Sequence, residues 1–407
     1  QPLQFKAEAT RIQSFLNDQP WVTLVHQLSA LEGENWQTAG KLEPFSISPT
    51  RLKLLQTKLG LDGAAEQRGG VKDLRAKNQP NRLDDLRMEA DWNVRFQGAL
   101  GGQISVRHLA GDIMIPAEPS FPLGLTELGL QVNLVPTGSD SRVQANLAIK
   151  TSKMGQVVGD VNALLRFTPE QGFHLRDSDL VKATVEADVA DLGWTNLILG
   201  DAMELRGRLN AKLDMEMRPS GYFSSKGQIQ GRELRVTRLD DGIRLLDGSL
   251  DARLDNQRFI LDQLYFPAVL RVEPKEWRTA TWINENPEAK GGFLKVSGEW
   301  DLESSTGKFL TELFRYPILQ RADRYAMVSG NIDANLVMPQ ISLTGKVMVD
   351  AGWFNLDMLG GIPTIDSDIV VLRAGQTLEE QPPPSTTDLS MNIEVDLGPR
   401  FYLTGYG

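Results

Sequence analysis

The run Leu209-Asn210-Ala211-Lys212-Leu213-Asp214-Met215-Glu216-Met217 sets an apolar residue at every odd position and a polar one at every even position. Side chains of a β-strand point to opposite faces with period two, so this stretch has one apolar face and one wet face. The pattern returns in Leu294, Val296, Gly298, Trp300 and Leu302 against Lys295, Ser297, Glu299 and Asp301. It returns again in Leu389, Met391, Ile393, Val395 and Leu397 against Ser390, Asn392, Glu394 and Asp396. Nearer the N-terminus, Ile104 with Val106, Leu128 to Leu134, and Val143 to Ile149 each define one face of a strand, and Trp21 to Ala30 and Phe45 to Lys53 alternate in shorter pieces.

Turn chemistry separates these runs. Pro219-Ser220-Gly221, Asp240-Asp241-Gly242, Asp247-Gly248 and Asp255-Asn256 supply the backbone angles of tight reversals and predict consecutive antiparallel strands. Pro116, Pro119 and Pro122 mark a turn or strand edge, because proline cannot donate to a ladder. Leu61 to Arg87 is polar and glycine-rich and reads as a long connection or exposed ribbon; Arg373 to Thr387, with Pro382 to Pro384, reads as a loop or extended linker. Leu192 to Met203 lacks period-two order and predicts one or two helical turns before a strand starting at Glu204. Phe309, Leu310, Leu313 and Phe314 fall at helical spacing, so Phe309 to Gln320 is the best helix candidate, either a plug over the sheet or a membrane-touching element.

Composition narrows the class. A 407-residue chain with 41% hydrophobic and 24% charged residues is folded rather than disordered, as two or more domains or one elongated sheet. A formal charge of −10, from 43 basic and 53 acidic residues, argues against a nucleic-acid surface. No cysteine is present, which excludes disulfides and thiolate metal sites. No segment reaches the roughly 18 to 20 apolar residues of a membrane span. The chain begins at Gln1 and reads as a processed or excised piece.

Chemistry is sparse. His26, His108 and His174 are too dispersed to form a helical metal pair, and no phosphate-binding loop or nucleophile elbow occurs; Gly98, Gly101 and Gly102 suit a turn. The acid pairs Asp84-Asp85, Asp240-Asp241 and Glu379-Glu380 are adjacent, so on a strand they point apart. Asp366 and Asp368 share strand parity but lack further oxygen ligands for a cation. Trp277, Trp282, Trp300 and Trp353 suit packing at strands or their edges, with sugar or lipid-headgroup contact as the second reading.

The order of motifs after residue 183 carries more. Pro339-Gln340-Ile341-Ser342-Leu343-Thr344-Gly345-Lys346-Val347-Met348-Val349, then Gly352-Trp353-Phe354-Asn355-Leu356, Leu359-Gly360 and Val370-Val371-Leu372, resembles the conserved C-terminal domain family of TamB, the translocation and assembly module protein of Gram-negative bacteria. The closing stretch, Asp388-Leu389 through Val395-Asp396-Leu397-Gly398 to Phe401 and Gly405, is similar to that family's final signature. Gly231 to Leu264 and Val296-Ser297-Gly298 are similar to the repeating strands of the wider AsmA-like superfamily.

The resemblance implies a mainly β fold: a long antiparallel sheet curled into an elongated U-shaped half-pipe (a β-taco) with a hydrophobic interior groove and few short helices. It implies an N-terminal part of the groove over 1–182, where only strand texture agrees, and a TamB-type groove over 183–407 that stops before the end of the family domain. The groove-lining set is then Leu209, Ala211, Leu213, Met215, Met217, Leu250, Leu254, Leu294, Val296, Trp300, Ile332, Leu336, Ile341, Leu343, Val347, Val349, Leu389, Met391, Ile393 and Val395. The implied partners are phospholipid acyl chains, the inner membrane through an N-terminal anchor outside this chain, and TamA, an Omp85-type outer-membrane barrel, through the parent protein's C-terminus. The implied location is the periplasm. The expected activity is non-catalytic phospholipid transfer from inner to outer membrane, without cofactor or metal. A chaperone or scaffold for outer-membrane and autotransporter proteins is the alternative. A closed β-sandwich, with apolar faces packed on each other, is the third reading.

Overall fold

The computed structural model describes residues 4–16, 19–32, 34–47, 86–115, 121–168, 171–195, 203–238, 243–271, 273–286, 291–321, 323–358 and 388–405. The fold is mainly β, with one long mixed sheet that is not closed into a barrel and a single α-helix among those residues. The chain divides into two compact units, residues 1–230 with 254–257 and residues 231–253 with 258–407.

In the first unit the strands are β1 (Gln4–Leu16), β2 (Gln19–Glu32), β3 (Asn35–Ile47), β4 (Leu86–Phe96), β5 (Leu100–Ala110), β6 (Met114–Ile115), β7 (Phe121–Pro122), β8 (Leu125–Thr137), β9 (Asp140–Thr151), β10 (Gly155–Thr168), β11 (Gly172–His174), β12 (Val181–Val189) and β13 (Glu204–Met217). Residues 182 and 183 lie within β12. Each long strand pairs antiparallel with the next, and the small β6–β7 ladder sits between β5 and β8 in the chain. Ile12, Leu24, Leu42, Ala90, Val106, Leu130, Leu147, Gly159, Val185 and Leu213 are successive cross-strand partners, a single apolar row over ten strands. One residue along, Lys41, Asp91, Ser105, Gln131, Asn146, Asp160, Thr184 and Asp214 form a polar row. Direct partners share a face, so alternation along each strand becomes one apolar and one polar face across the ladder.

Two packed clusters bound that apolar face. At one end Val94, Phe96, Leu100 and Leu134 are buried against Trp36, Val143 and Leu165, and Phe96 stacks edge-on to Phe167 at 4.9 Å between ring centroids. At the other, Leu123, Leu125 and Met154 are buried against Leu86, Phe121 and Trp194. Trp194 comes from the single 3-10 turn Leu192–Thr195, where the sequence predicts one or two helical turns; the rest of that stretch to Ala202 lies outside the described residues.

β14 (Phe223–Arg238) and β15 (Ile243–Asn256) have residues in both units. The second unit continues with β16 (Arg258–Pro267), α1 (Trp277–Glu285), β17 (Phe293–Asp301), β18 (Thr306–Gln320), β19 (Arg324–Val337), β20 (Gln340–Asn355), β21 (Asp388–Asp396) and β22 (Phe401–Thr404). Its ladder repeats the two-faced arrangement: Phe259, Trp300, Gly307, Leu336, Ile341 and Leu389 form one apolar row and Phe266, Leu294, Leu313, Gly330, Val347 and Val395 another.

Three expectations are corrected here. The sheet is not wholly antiparallel, because β21 and β22 pair with β20 in parallel. Parallel neighbours need a crossover of about a dozen residues or more, and the chain between Asn355 and Asp388 has that length. Phe309 to Gln320 is not a helix but most of β18. Its adjacent apolar pairs, Phe309-Leu310 and Leu313-Phe314, imitate helical spacing because apolar residues stand on both faces; pairing to β17 and β19 decides the outcome, and Pro317 is accommodated beside a register shift. Asp247-Gly248 is not a hairpin turn but lies inside β15. Asp247 has φ 54°, and a Cβ on Gly248 would lie 2.3 Å from the Phe266 ring, so the pair serves a kink and a close approach. The other reversals fall as expected at Pro219 to Gly221 and at Asn256, while Asp240 to Gly242 lies outside the described residues.

Candidate functional site

Strand parity places every residue of the expected lining set that lies on a described ladder on the apolar face of its own unit. In the first unit Leu209, Ala211, Leu213, Met215 and Met217 face Val189, Ala187, Val185, Ala183 and Val181 across β12–β13. Leu254 is half-buried on β15. In the second unit Leu294, Val296, Trp300, Ile332, Leu336, Ile341, Leu343 and Val347 are half-buried and Val349 is buried. Leu389, Met391 and Val395 on β21 stay 55%, 62% and 58% exposed, with Ile393 half-buried between them. Leu250 stands against Gly231, where a Cβ would lie 3.0 Å from its own Cβ.

Between the two packed clusters of the first unit, the middle of the apolar face stays open. Ile104, Leu130, Leu147 and Val161 are 36% to 41% exposed although cross-strand neighbours flank them. Full burial of a side chain of this size is worth about 1.5–3 kcal/mol, so each withholds a substantial part of its stabilising potential from the fold. The opposite face is tied by cross-strand ion pairs between directly opposed residues: Lys182–Glu216 at 2.9 Å and Lys212–Glu186 at 2.5 Å in the first unit, Lys295–Glu312 at 3.1 Å and Lys346–Glu394 at 2.7 Å in the second. Alternation thus separates a charged face from a greasy one.

The second unit differs where the ladder shifts register. β18 gains residues between Leu313 and Tyr316 and again between Pro317 and Leu319, and β20 gains Asp350 opposite Met327 and Val328. β19 itself stays regular, so Tyr325 and Met327 lie on the face opposite Ile332 and Leu336. There Ile283 of α1 packs on both, with Leu270 and Trp282 alongside. Glu276 caps α1, accepting from the Thr279 amide at 2.7 Å and from Arg278 Nε at 2.6 Å. A cleft of about 570 Å³ opens beside the helix, lined by Ala268, Leu270, Arg271, Pro274, Ile283 and Tyr325 among others. The Tyr325 hydroxyl is fully buried without a hydrogen-bond partner among the described residues, and burial pushes its pKa up.

No catalytic constellation is assembled among the described residues. His26 Nε2 meets Ser29 Oγ at 2.6 Å, while His108 and His174 each contact a nearby backbone carbonyl oxygen, of Gly111 and Gly172, at 3.0 Å. No cluster of three metal-ligating side chains occurs among the described residues. Asp366 and Asp368, and the acid pairs at 84–85, 240–241 and 379–380, lie outside them. Sequence reasoning missed the ring cluster of Phe96, Phe167 and Phe173, whose signal was only an aromatic at a strand end, and α1, announced by Pro274 and an N-terminal Glu276 but short.

Comparison with family models, curated proteins and solved structures found no match to this chain.

Proposed function

We propose that the protein is a non-catalytic lipid conduit, in which phospholipid acyl chains lie along the apolar faces while their headgroups stay in water. The observation that carries this reading is the open middle of the first unit's apolar face, where large side chains of two adjacent rows are left 36% to 41% exposed between two packed ends. Acyl chains would complete that burial at roughly 0.8 kcal/mol per methylene, the same order as the cost of leaving a bilayer.

A half-pipe form is part of the proposal. β4 and β10 are separated by β5, β8 and β9 along the ladder, four steps or roughly 19 Å on a flat sheet. Yet the Phe96 and Phe167 rings touch at 4.9 Å, which supports a sheet curled around its apolar face. The resemblance to the TamB family supplies the direction and setting: a periplasmic carrier toward the outer membrane, in a parent protein anchored in the inner membrane and meeting TamA.

A second reading, a scaffold for assembling β-proteins, is favoured by β21, which is exposed at every position but Ile393 and paired only with β20 among the described residues. One experiment separates them. Photo-reactive residues at Leu130 or Leu147 should capture phospholipid, and Leu213→Asp, Val296→Asp and Ile393→Asp together should abolish lipid recovered by native mass spectrometry while the β circular-dichroism signal persists. Undiminished lipid in the folded triple variant refutes the conduit; nascent β-protein captured from β21 supports the scaffold.

A further inference from the structure

The α1 end of the second unit carries a surface unlike either face of the ladder. Trp277, the first residue of α1, is 71% exposed, more than any other large hydrophobic residue described. Along α1 and the strands beside it, arginines lie over aromatic rings. The Arg278 guanidinium carbon is 3.8 Å from the Tyr402 ring centroid and 6.0 Å from that of Trp277. That of Arg400 is 4.6 Å from the Trp282 ring, and that of Arg315 is 5.7 Å from Trp282 and 5.4 Å from Phe314. The register explains the gathering: Tyr402 pairs with Trp353, which pairs with Tyr325, so β22 brings Tyr402 to the face that α1 covers.

The charges are unequally compensated. Arg278 pairs with Glu276, whereas Arg400 gives its Nε to the Asp350 carbonyl oxygen at 2.7 Å and has no carboxylate partner among the described residues. A guanidinium placed over a ring, with only its Nε engaged, keeps its terminal N–H donors for an anion, and phosphate matches that fork. An exposed tryptophan on a helix with arginines set against its rings has the amphipathic chemistry of a membrane–water boundary, and Arg400 adds a positive charge on a chain of net charge −10.

We infer that this surface docks the protein on an anionic phospholipid bilayer, with Trp277 entering the headgroup region and Arg400 meeting lipid phosphate. The inference rests on the patch alone and stands or falls separately from lipid carriage along the apolar faces.

The test is flotation of the full chain with vesicles of phosphatidylcholine, with or without phosphatidylglycerol. Binding should require phosphatidylglycerol and fade as salt rises from 0.05 to 0.5 M. Arg400→Gln should weaken it about fivefold, the effect of one basic residue near an anionic surface, while Arg400→Lys should restore most of it. Trp277→Ala, at an exposed site where folding has little at stake, should lower binding on its own. Equal binding to both vesicle types, or unchanged binding of the folded Trp277→Ala and Arg400→Gln variants, overturns the inference. The triple variant Leu213→Asp, Val296→Asp and Ile393→Asp should leave docking intact while removing bound lipid, which tells failure of the patch from failure of the conduit.

Discussion

The ten-strand ladder of the first unit and the α1 end of the second solve the same problem in opposite ways. In the ladder the register runs regularly through its centre, so every apolar side chain of the central row meets only its lattice neighbours and remains partly in water. At the α1 end the neighbours of β19 gain extra residues, and the four consecutive residues Tyr325 to Val328 are all buried, so both faces of the strand are covered there. A strand becomes core on both sides only where a second layer exists, and α1 supplies it for one face. The comparison teaches that regular alternation by itself does not close a core; it creates a surface awaiting cover.

The largest expected effect tests that contrast. Met327 is 0% exposed beneath α1, so Met327→Ala should destabilise by about 2–5 kcal/mol, the range for emptying a packed site. Leu147, 41% exposed in the open row, should lose less, about 1–2 kcal/mol on truncation to Ala, since only part of its area is withdrawn from water and no packed cavity is emptied. Urea unfolding of both variants without lipid measures the pair. Equal losses would mean that the row is covered in solution and would remove the central observation behind the conduit. Added lipid should then raise the cost of Leu147→Ala and leave that of Met327→Ala unchanged.

Most of the strand content was legible because period two is a local signal: Leu209 to Met217, Leu294 to Asp301 and Leu389 to Asp396 are strands with the anticipated parity. What was hidden depended on partners distant in sequence. Phe309 to Gln320 reads as a helix until β17 and β19 claim its backbone, and parallel pairing of β21 with β20 has no local signature. The contact of Phe96 with Phe167 joins β4 to β10, which are not neighbours in the ladder, and no local spacing encodes it. Face membership in the candidate lining set followed from alternation; its degree of exposure did not, because that depends on what lies opposite.

An intermediate effect concerns the cap of α1, the element that distinguishes the two regions. Burial raises the pKa of Glu276, but hydrogen bonds from Arg278 and Thr279 outweigh it and hold the carboxyl below the ordinary glutamate value. A depressed folded-state pKa contributes stability that is complete above the unfolded value and lost as pH falls through the folded one. Stability of the α1 end should therefore decline once pH drops below the ordinary carboxylate range. Glu276→Ala should cost about 1 kcal/mol at pH 7, the usual worth of an N-cap, and should flatten that acid limb; amide exchange across α1 reads both. An unaltered acid limb in the variant would show that another carboxylate governs it.

The smallest effects belong to the charged face, where the two units should behave alike. Lys182–Glu216 in the first unit and Lys295–Glu312 in the second are directly opposed cross-strand pairs with substantially exposed side chains. Double-mutant cycles to Ala should give couplings of about 0.2–1 kcal/mol, and Lys295–Glu312 should be the larger because its side chains are 36% and 37% exposed against 61% and 41%. Both couplings should shrink in 1 M salt, where the screening length falls to about 3 Å. The pairs would then act chiefly in register: sliding either strand by one residue sets charge on the apolar face and greasy side chains on the wet one, at a cost far above either coupling. Couplings of several kcal/mol would instead place those charges in a dry environment, and the assignment of the wet face would have to be reversed.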